Sequence, residues 1–331
     1  MLTQGIENEA YHGSSELSRS TAWNLLTTCP AKVKYDRENP SPATPALIIG
    51  DAFHTATLEP ARFESEFAVK PKQISGKGPL STVYKEAFAE MQAEEPHVKW
   101  LTESDYQMVC DMASSALDHP ILKQYLAEAD AVIEGTGYFE CEGAKCKVRP
   151  DLYLPGAGVV IDLKSTMDAS ARGFSKSVRQ FGYAFQTSWY LEGLRLAGEK
   201  PTEFIFLAVE KKAPYLTAAY SINASEIESQ TNAMYKACKI WAECTQSNYF
   251  PGYADNVVPL DVDRRSSLKA NRLSIKAMAK HFGVSRTYVY RIIKDYGLAC
   301  NHVGNRKMYE IADFAKSVKL DNTKRTQKEA A

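Results

Sequence analysis

Three short runs rich in β-forming residues, 131–138, 145–153 and 159–165, constrain this chain more than any other feature. Turns holding Gly143 and Pro155-Gly156-Ala157-Gly158 separate them, so they predict consecutive strands of a meander. A stretch of helical periodicity follows over about 175–196, then strands near 203–209 and 217–221 and a helix over about 224–244. Strands interleaved with long amphipathic helices predict a mixed α/β domain, a central sheet flanked by helices. Upstream, residues 81–95 and 103–128 read as a helical arm, and a helix over about 46–58 stops before Pro60. A further helix start lies within residues 16–26, with Ser18 or Ser20 as its N-cap. The first dozen residues are expected to be unstructured, and 60–80 to be loop with short extended pieces.

The same runs carry the chemistry. Val148-Arg149-Pro150-Asp151 sits in the second run and Val160-Ile161-Asp162-Leu163-Lys164-Ser165 in the third. Adjacent antiparallel strands would set Asp151 and Asp162 side by side at one end of the sheet. Lys164 shares a face with Asp162 because strand side chains alternate with period two. Two carboxylates that close repel, and a divalent cation relieves the cost. Oxygen ligands suit Mg²⁺ or Mn²⁺. Lys164 would then orient or deprotonate an attacking water and stabilise charge on a phosphate.

Taken alone, an Asp-x-Lys pair with one upstream Asp fits a surface ladder of opposite charges better. Two further features shift that balance. Gln186 and Tyr190 are four apart and so share a helix face, and Gly50 precedes His54 by one helical turn. Singly, Gln186 fits a solvated face, Tyr190 a core aromatic and His54 a buried hydrogen-bonded histidine. The order Gly-x-x-x-His, Pro-Asp, Asp-x-Lys, Gln-x-x-x-Tyr is much harder to reach by chance.

In that order, over about residues 12–245, the chain resembles the PDDEXK nuclease superfamily. The likeness is to its RecB-like branch and, within it, to the RecE-type (exodeoxyribonuclease VIII-like) phage exonucleases. Ser18-Arg19-Ser20-Thr21-Ala22-Trp23-Asn24-Leu25-Leu26 and Lys147-Val148-Arg149-Pro150-Asp151 strengthen it. The resemblance implies a restriction-endonuclease-like core in which His54, Asp151, Asp162 and the Leu163 carbonyl ligate the catalytic metal. Lys164 would be the catalytic lysine, Gln186 and Tyr190 would position the scissile strand or that lysine, and Glu134 would support the site or a second metal. Asp162 stands where many superfamily members have Glu, as is usual in the RecB-like branch. Cys29-Pro30 is similar to the first iron–sulfur ligand of some RecB-like nucleases, but the downstream cysteine triplet is missing and Cys29 reads as structural. A 5′-phosphate pocket is expected at the helix N-terminus formed by Ser18, Arg19 and Ser20, with Arg149 beside the metal; an N-cap and a surface arginine are the plainer alternatives.

A net charge of zero hides a split. Residues 1–263 carry 24 Lys+Arg against 35 Asp+Glu, a balance of −11, and residues 264–331 carry 16 against 5, a balance of +11. The basic end holds a helix-turn-helix pattern over 273–296: Ser274 caps one helix, Gly283 turns, and Ser285 caps a second. Ile275, Met278, Ala279, Val284, Val289 and Ile292 fit its packed interface. Ser285, Arg286, Thr287, Tyr288, Tyr290, Arg291 and Lys294 fall on or near a recognition helix. Residues 298–310 predict a hairpin wing turning at Gly304-Asn305 and offering Arg306 and Lys307 to phosphate, followed by a short helix over 311–318. The module resembles the winged helix-turn-helix of excisionase and MerR type; a helical hairpin for protein contact is the alternative, which the charge disfavours. The expected organisation is a nuclease domain over 1–250, a linker over 251–267, a helix-turn-helix domain over 268–320 and a disordered tail over 321–331.

Composition, 44% hydrophobic and 24% charged, is that of an ordinary soluble globular protein. No apolar run reaches the roughly 18 residues of a membrane span, and no signal pattern opens the chain. A cytoplasmic protein without membrane contact is therefore expected. The seven cysteines form no C-x-x-C pair and predict reduced, mostly buried thiols. Together these readings point to a phage-type 5′→3′ exonuclease on linear double-stranded DNA, making overhangs for a single-strand annealing recombinase. The resemblance also implies a ring-shaped homo-oligomer. An endonuclease or single-strand nuclease on the same core, and a non-catalytic DNA-binding regulator, are the competing readings.

Overall fold

The computed structural model describes residues 2–258, 272–296, 298, 301–303, 306–310, 313–315 and 317–318. The chain forms two compact units, Met1–Tyr253 and Ala254–Ala331. The first opens with α1 (Asn8–Gly13), α2 (Arg19–Thr27), α3 (Pro30–Glu38) and α4 (Pro45–Leu58). Ser18 caps α2 by accepting the Thr21 N–H, and Thr44 caps α4 in the same way from Leu47. α5 (Pro60–Glu66) and β1 (Phe67–Val69) come next, then α6 (Thr82–Glu94), β2 (Lys99–Leu101), α7 (Glu103–Asp118) and α8 (Pro120–Leu126).

Three expectations change here. Residues 60–66 are helical, because Pro60, which stops α4, is itself well placed in the first turn of a new helix. The 103–128 arm breaks at His119, because the residue before Pro120 is driven out of helical geometry. Residues 2–12 are not without structure: α1 forms there, and Thr3 bridges to Thr136 through two backbone hydrogen bonds.

The central region contains β3 (Val132–Ile133), β4 (Gly137–Cys141), β5 (Ala144–Val148), β6 (Leu152–Leu154) and β7 (Val159–Thr166). After it come α9 (Ala171–Phe181), α10 (Tyr183–Leu196), β8 (Glu203–Glu210), β9 (Thr217–Tyr220) and α11 (Ala224–Ser247). The main sheet runs β3-β6-β7-β8-β9, with β7 and β8 parallel and the other pairs antiparallel. The three-run meander is thus corrected. Each of the first two runs splits, at Glu134 (φ 49°) and at Arg149-Pro150-Asp151. Their adjoining pieces, β4 and β5, pair as a separate hairpin turning at Glu142-Gly143, both with positive φ. Pro150 has no N–H for a ladder, which ends β5 where it does.

β7 is buried along most of its length, as a parallel strand covered on both faces should be. One face packs Val160, Phe204 and Phe206 against Phe174, Phe185 and Trp189. The other packs Ile161, Leu163 and Leu207 against Phe53, Met112 and Leu122. Asp162 and Lys164 share the Val160 face by strand alternation.

The single helix expected over 175–196 is two, α9 and α10, meeting at Gly182 (φ 65°). Arg19 donates to the Phe181 and Gly182 carbonyls at 2.6 and 2.7 Å, and a Cβ on Gly182 would sit 2.5 Å from the Trp23 ring. Left-handed backbone costs a residue with a side chain about 1–2 kcal/mol, and displacing Trp23 adds to it. Gly182→Ala should therefore lose about 2–4 kcal/mol in urea unfolding; an unchanged midpoint would show that the joint tolerates a side chain.

In the second unit, β10 (Arg272–Leu273) leads into α12 (Ile275–Phe282) and α13 (Arg286–Asp295), followed by β11 (Asn301–Val303) and β12 (Arg306–Glu310). Gly283 (φ 64°) joins the helices and Ser285 caps α13 by accepting the Tyr288 N–H. Met278, Ala279, Val289, Ile292, Tyr309 and Phe314 are its core, with Ile275 and Val284 packed alongside. β12 pairs antiparallel with β10 and β11. Residues 259–271, which include most of the linker expected over 251–267, the turn at Gly304-Asn305 and the tail over 321–331 lie outside the described residues. Among the described residues, no helix is long and apolar enough to cross a membrane.

Candidate active site

The break that ends β5 also presents Asp151. Its Oδ2 accepts the Leu163 N–H of β7 at 2.7 Å and lies 3.1 Å from His54 Nδ1 on α4. Its carbonyl accepts the N–H of Glu134, whose left-handed backbone turns the chain just after β3. One ligand atom from each of His54, Glu134 and Asp151 lies within 4.8 Å of the others. α4 carries His54 one turn after Gly50, and both line a cleft of about 520 Å³.

Asp162, buried on β7, is held by two residues that line this cleft. Its Oδ2 accepts the Gln186 amide at 2.7 Å, and its Oδ1 pairs with the Lys164 ammonium. Lys164 also reaches the Leu163 carbonyl at 3.5 Å and lies 5.2 Å from the centre of the Tyr183 ring. Tyr190, one turn beyond Gln186 on α10, packs edge-on against Phe204 and lines the cleft. The residue order that marked the sequence therefore converges in one place. Asp162 stands outside the close donor group, whereas Glu134 stands inside it.

The charges at this site act strongly on one another. Burial would lower the His54 pKa, but the Asp151 carboxylate, by charge and hydrogen bond, carries it up to about 9. Burial works to raise Asp151; His54, Lys164 and the Leu163 N–H outweigh it and hold Asp151 below the usual carboxylate range. Glu134 is pushed up to about 8 by burial and then by Asp151. Asp162 is raised by burial against the pull of Lys164, and Lys164 is raised by Asp162 and Asp151 against burial. Burial also drives the Tyr190 hydroxyl well above its ordinary range. One imidazole and clustered carboxylates, two of them resisting ionisation, are the donor set a hard divalent cation would satisfy. The residues present fit such an ion.

The expected DNA contacts fall out differently. Ser18 is spent as the α2 cap, and the exposed Ser20 hydroxyl lies 3.1 Å from it. Arg19 lines the cleft, bound to the α9–α10 joint, with its Nε buried and without a hydrogen-bond partner among the described residues. Arg149 lines the cleft and is anchored there: it donates to Thr136, Asn8 and the Ile6 carbonyl, each at 2.8 Å, and stacks on Tyr11 at 4.0 Å. In the second unit Arg286, Thr287, Tyr290 and Lys294 are exposed on α13. Tyr288 is part-buried and packs on that unit's core, while exposed Arg291 lies 3.6 Å from Asp295 and 4.9 Å from the Tyr288 ring. Arg306 and Lys307 lie on β12; their side chains are outside the described residues.

Sequence reasoning missed Asn8, Tyr11 and His12, which reach the cleft from α1, and Tyr183. Tyr183 had a usable signal, since Tyr183, Gln186 and Tyr190 fall at i, i+3 and i+7 on one helix face.

Residues 19–259 match the family described as a PDDEXK-like domain of unknown function (DUF3799). No curated protein sequence matches the chain. Among solved structures, a candidate exonuclease from Eubacterium rectale is similar with a TM-score of 0.53 and 15% identity, over 81% of this chain and 99% of its own. A phage-related exonuclease from Haemophilus somnus 129PT gives a TM-score of 0.27 at 14% identity, over 54% of this chain and 90% of its own.

Proposed function

Because the chain belongs to the PDDEXK-like domain family, matched over residues 19–259, we propose that it is a divalent-metal-dependent deoxyribonuclease of RecE type. Its substrate is linear double-stranded DNA, digested 5′→3′ from an end to leave a single-stranded overhang for phage-type recombination. The observation that carries this reading is one cleft lined by His54, Glu134 and Lys164, with the buried Asp151 held by His54 and the buried Asp162 held by Lys164.

His54, Asp151, Asp162 and the Leu163 carbonyl would hold Mg²⁺ or Mn²⁺, with Glu134 as support or as part of a second site. The bound ion would polarise the scissile phosphate and lower the pKa of water. Lys164 keeps its proton beside Asp162 and presents an ammonium where phosphate charge develops. Gln186 fixes the free carboxylate oxygen of Asp162, and Tyr190 walls the cleft where the scissile strand would lie. The Arg19 Nε, unpartnered among the described residues, supports a 5′-phosphate pocket at the start of α2, to which Ser18 and Ser20 would contribute.

The nuclease domain would span 1–250, followed by a linker over 251–267, a winged helix-turn-helix over 268–320 and a tail over 321–331. Arg286, Thr287, Tyr288, Tyr290, Arg291 and Lys294 would face DNA from α13, with Arg306 and Lys307 on the wing. A cytoplasmic ring of like subunits, handing its product to a single-strand annealing recombinase, completes the proposal.

The test is a digest of 5′-labelled linear duplex, 3′-labelled linear duplex and the same DNA as a closed circle, with Mg²⁺ and with chelator. Mg²⁺-dependent release of the 5′ label first, with the circle intact, is expected. Equal loss of the circle would replace the exonuclease with an endonuclease, and release of the 3′ label first would reverse the polarity.

A further inference from the structure

α9 carries a feature that the metal cleft does not use. Arg172, Lys176 and Arg179 fall at i, i+4 and i+7, so they line one face, and all three are exposed. They rise about 10 Å along the helix axis. None makes a salt bridge among the described residues, in a region of the chain where acidic residues outnumber basic ones 35 to 24. Phe174, on the opposite face, is buried, which fixes the direction of the cations.

A groove of about 360 Å³ runs beside this face, lined by Lys176, Ser177, Gln180 and the part-buried Lys211, whose own N–H is held by the Thr166 carbonyl. Asp168 is the one carboxylate among the described residues lining it, and it accepts the Ser170 N–H at 2.9 Å. Ser165, Phe181 and Tyr183 line both the groove and the metal cleft, so the two are continuous. Successive phosphates of one strand of a duplex are spaced about 3.4 Å along its axis, so a 10 Å row of cations spans about three.

Resting on the nuclease reading above, we propose that the exposed face of α9 and Lys211 form a track for the sugar–phosphate backbone of DNA leading to the metal cleft. The contacts are to phosphate alone, so the track orients DNA without reading its sequence.

The test uses the full chain in chelator, with binding of a fluorescent linear duplex measured by anisotropy across a salt series. R172A/K176A/R179A should lose at least about tenfold in affinity near 0.1 M salt, and its slope of log affinity against log salt should be shallower by about 2–3. The charge-keeping R172K/K176R/R179K should bind as wild type does. An alanine variant with the wild-type slope overturns the track, as does a charge-keeping variant that loses affinity equally. Failure of the nuclease reading appears separately, as wild-type protein that leaves linear duplex intact in Mg²⁺, while the chelator measurement still reports on the track.

Discussion

Asp151→Asn should cut metal-dependent DNA cleavage on the order of 10³-fold, the loss of about 4 kcal/mol of charge stabilisation at the reacting phosphate. The change keeps shape and an oxygen for the Leu163 N–H, so it removes charge and little else. His54 loses the partner that holds it and Glu134 loses its neighbour in the donor group. Stability should fall by only about 1–3 kcal/mol, the scale of one buried polar contact weakened. Steady-state cleavage of a linear duplex, read with urea unfolding, separates the two effects. Full cleavage by Asp151→Asn would remove this residue from the metal site.

Lys164→Ala should act on both properties at once. Asp162 is 1% exposed in its side chain and depends on the Lys164 ammonium and the Gln186 amide. Stripping one partner from a buried ion pair typically costs about 3–5 kcal/mol. Asp162 can escape part of that cost by taking up a proton, since burial already raises its pKa. Cleavage should fall on the order of 10³-fold, because the cation facing the phosphate is gone. Mg²⁺ should then stabilise the variant against urea more than it stabilises wild type, because the ion supplies the charge that Asp162 lost. A variant with wild-type midpoint and rate would show that Lys164 is an ordinary surface partner.

Much of this site was legible because it rests on local rules. Period two places Asp162 and Lys164 together, and helical period places Gln186 below Tyr190, whatever the rest of the chain does. The N-cap at Ser18 and the apolar positions of α12 and α13 were readable for the same reason. What escaped depends on distant partners. The anchoring of Arg149 was invisible because Asn8 and Ile6, which accept two of its N–H groups, lie in a stretch with no helical or strand pattern. Glu134 looked peripheral because its approach to Asp151 needs a left-handed backbone that propensity would not assign to glutamate. The split at Gly182 was hidden by continuous helical periodicity; the left-handed turn and the packed Trp23 ring show why the residue is glycine.

The most direct measurement is an anomalous difference map from crystals soaked in Mn²⁺. The account predicts a single strong peak in the cleft, about 2.0–2.3 Å from ligand atoms of His54 and Asp151, with Glu134 or Asp162 completing the protein ligands. A featureless cleft, in crystals of protein that digests DNA in the same Mn²⁺ buffer, would contradict it.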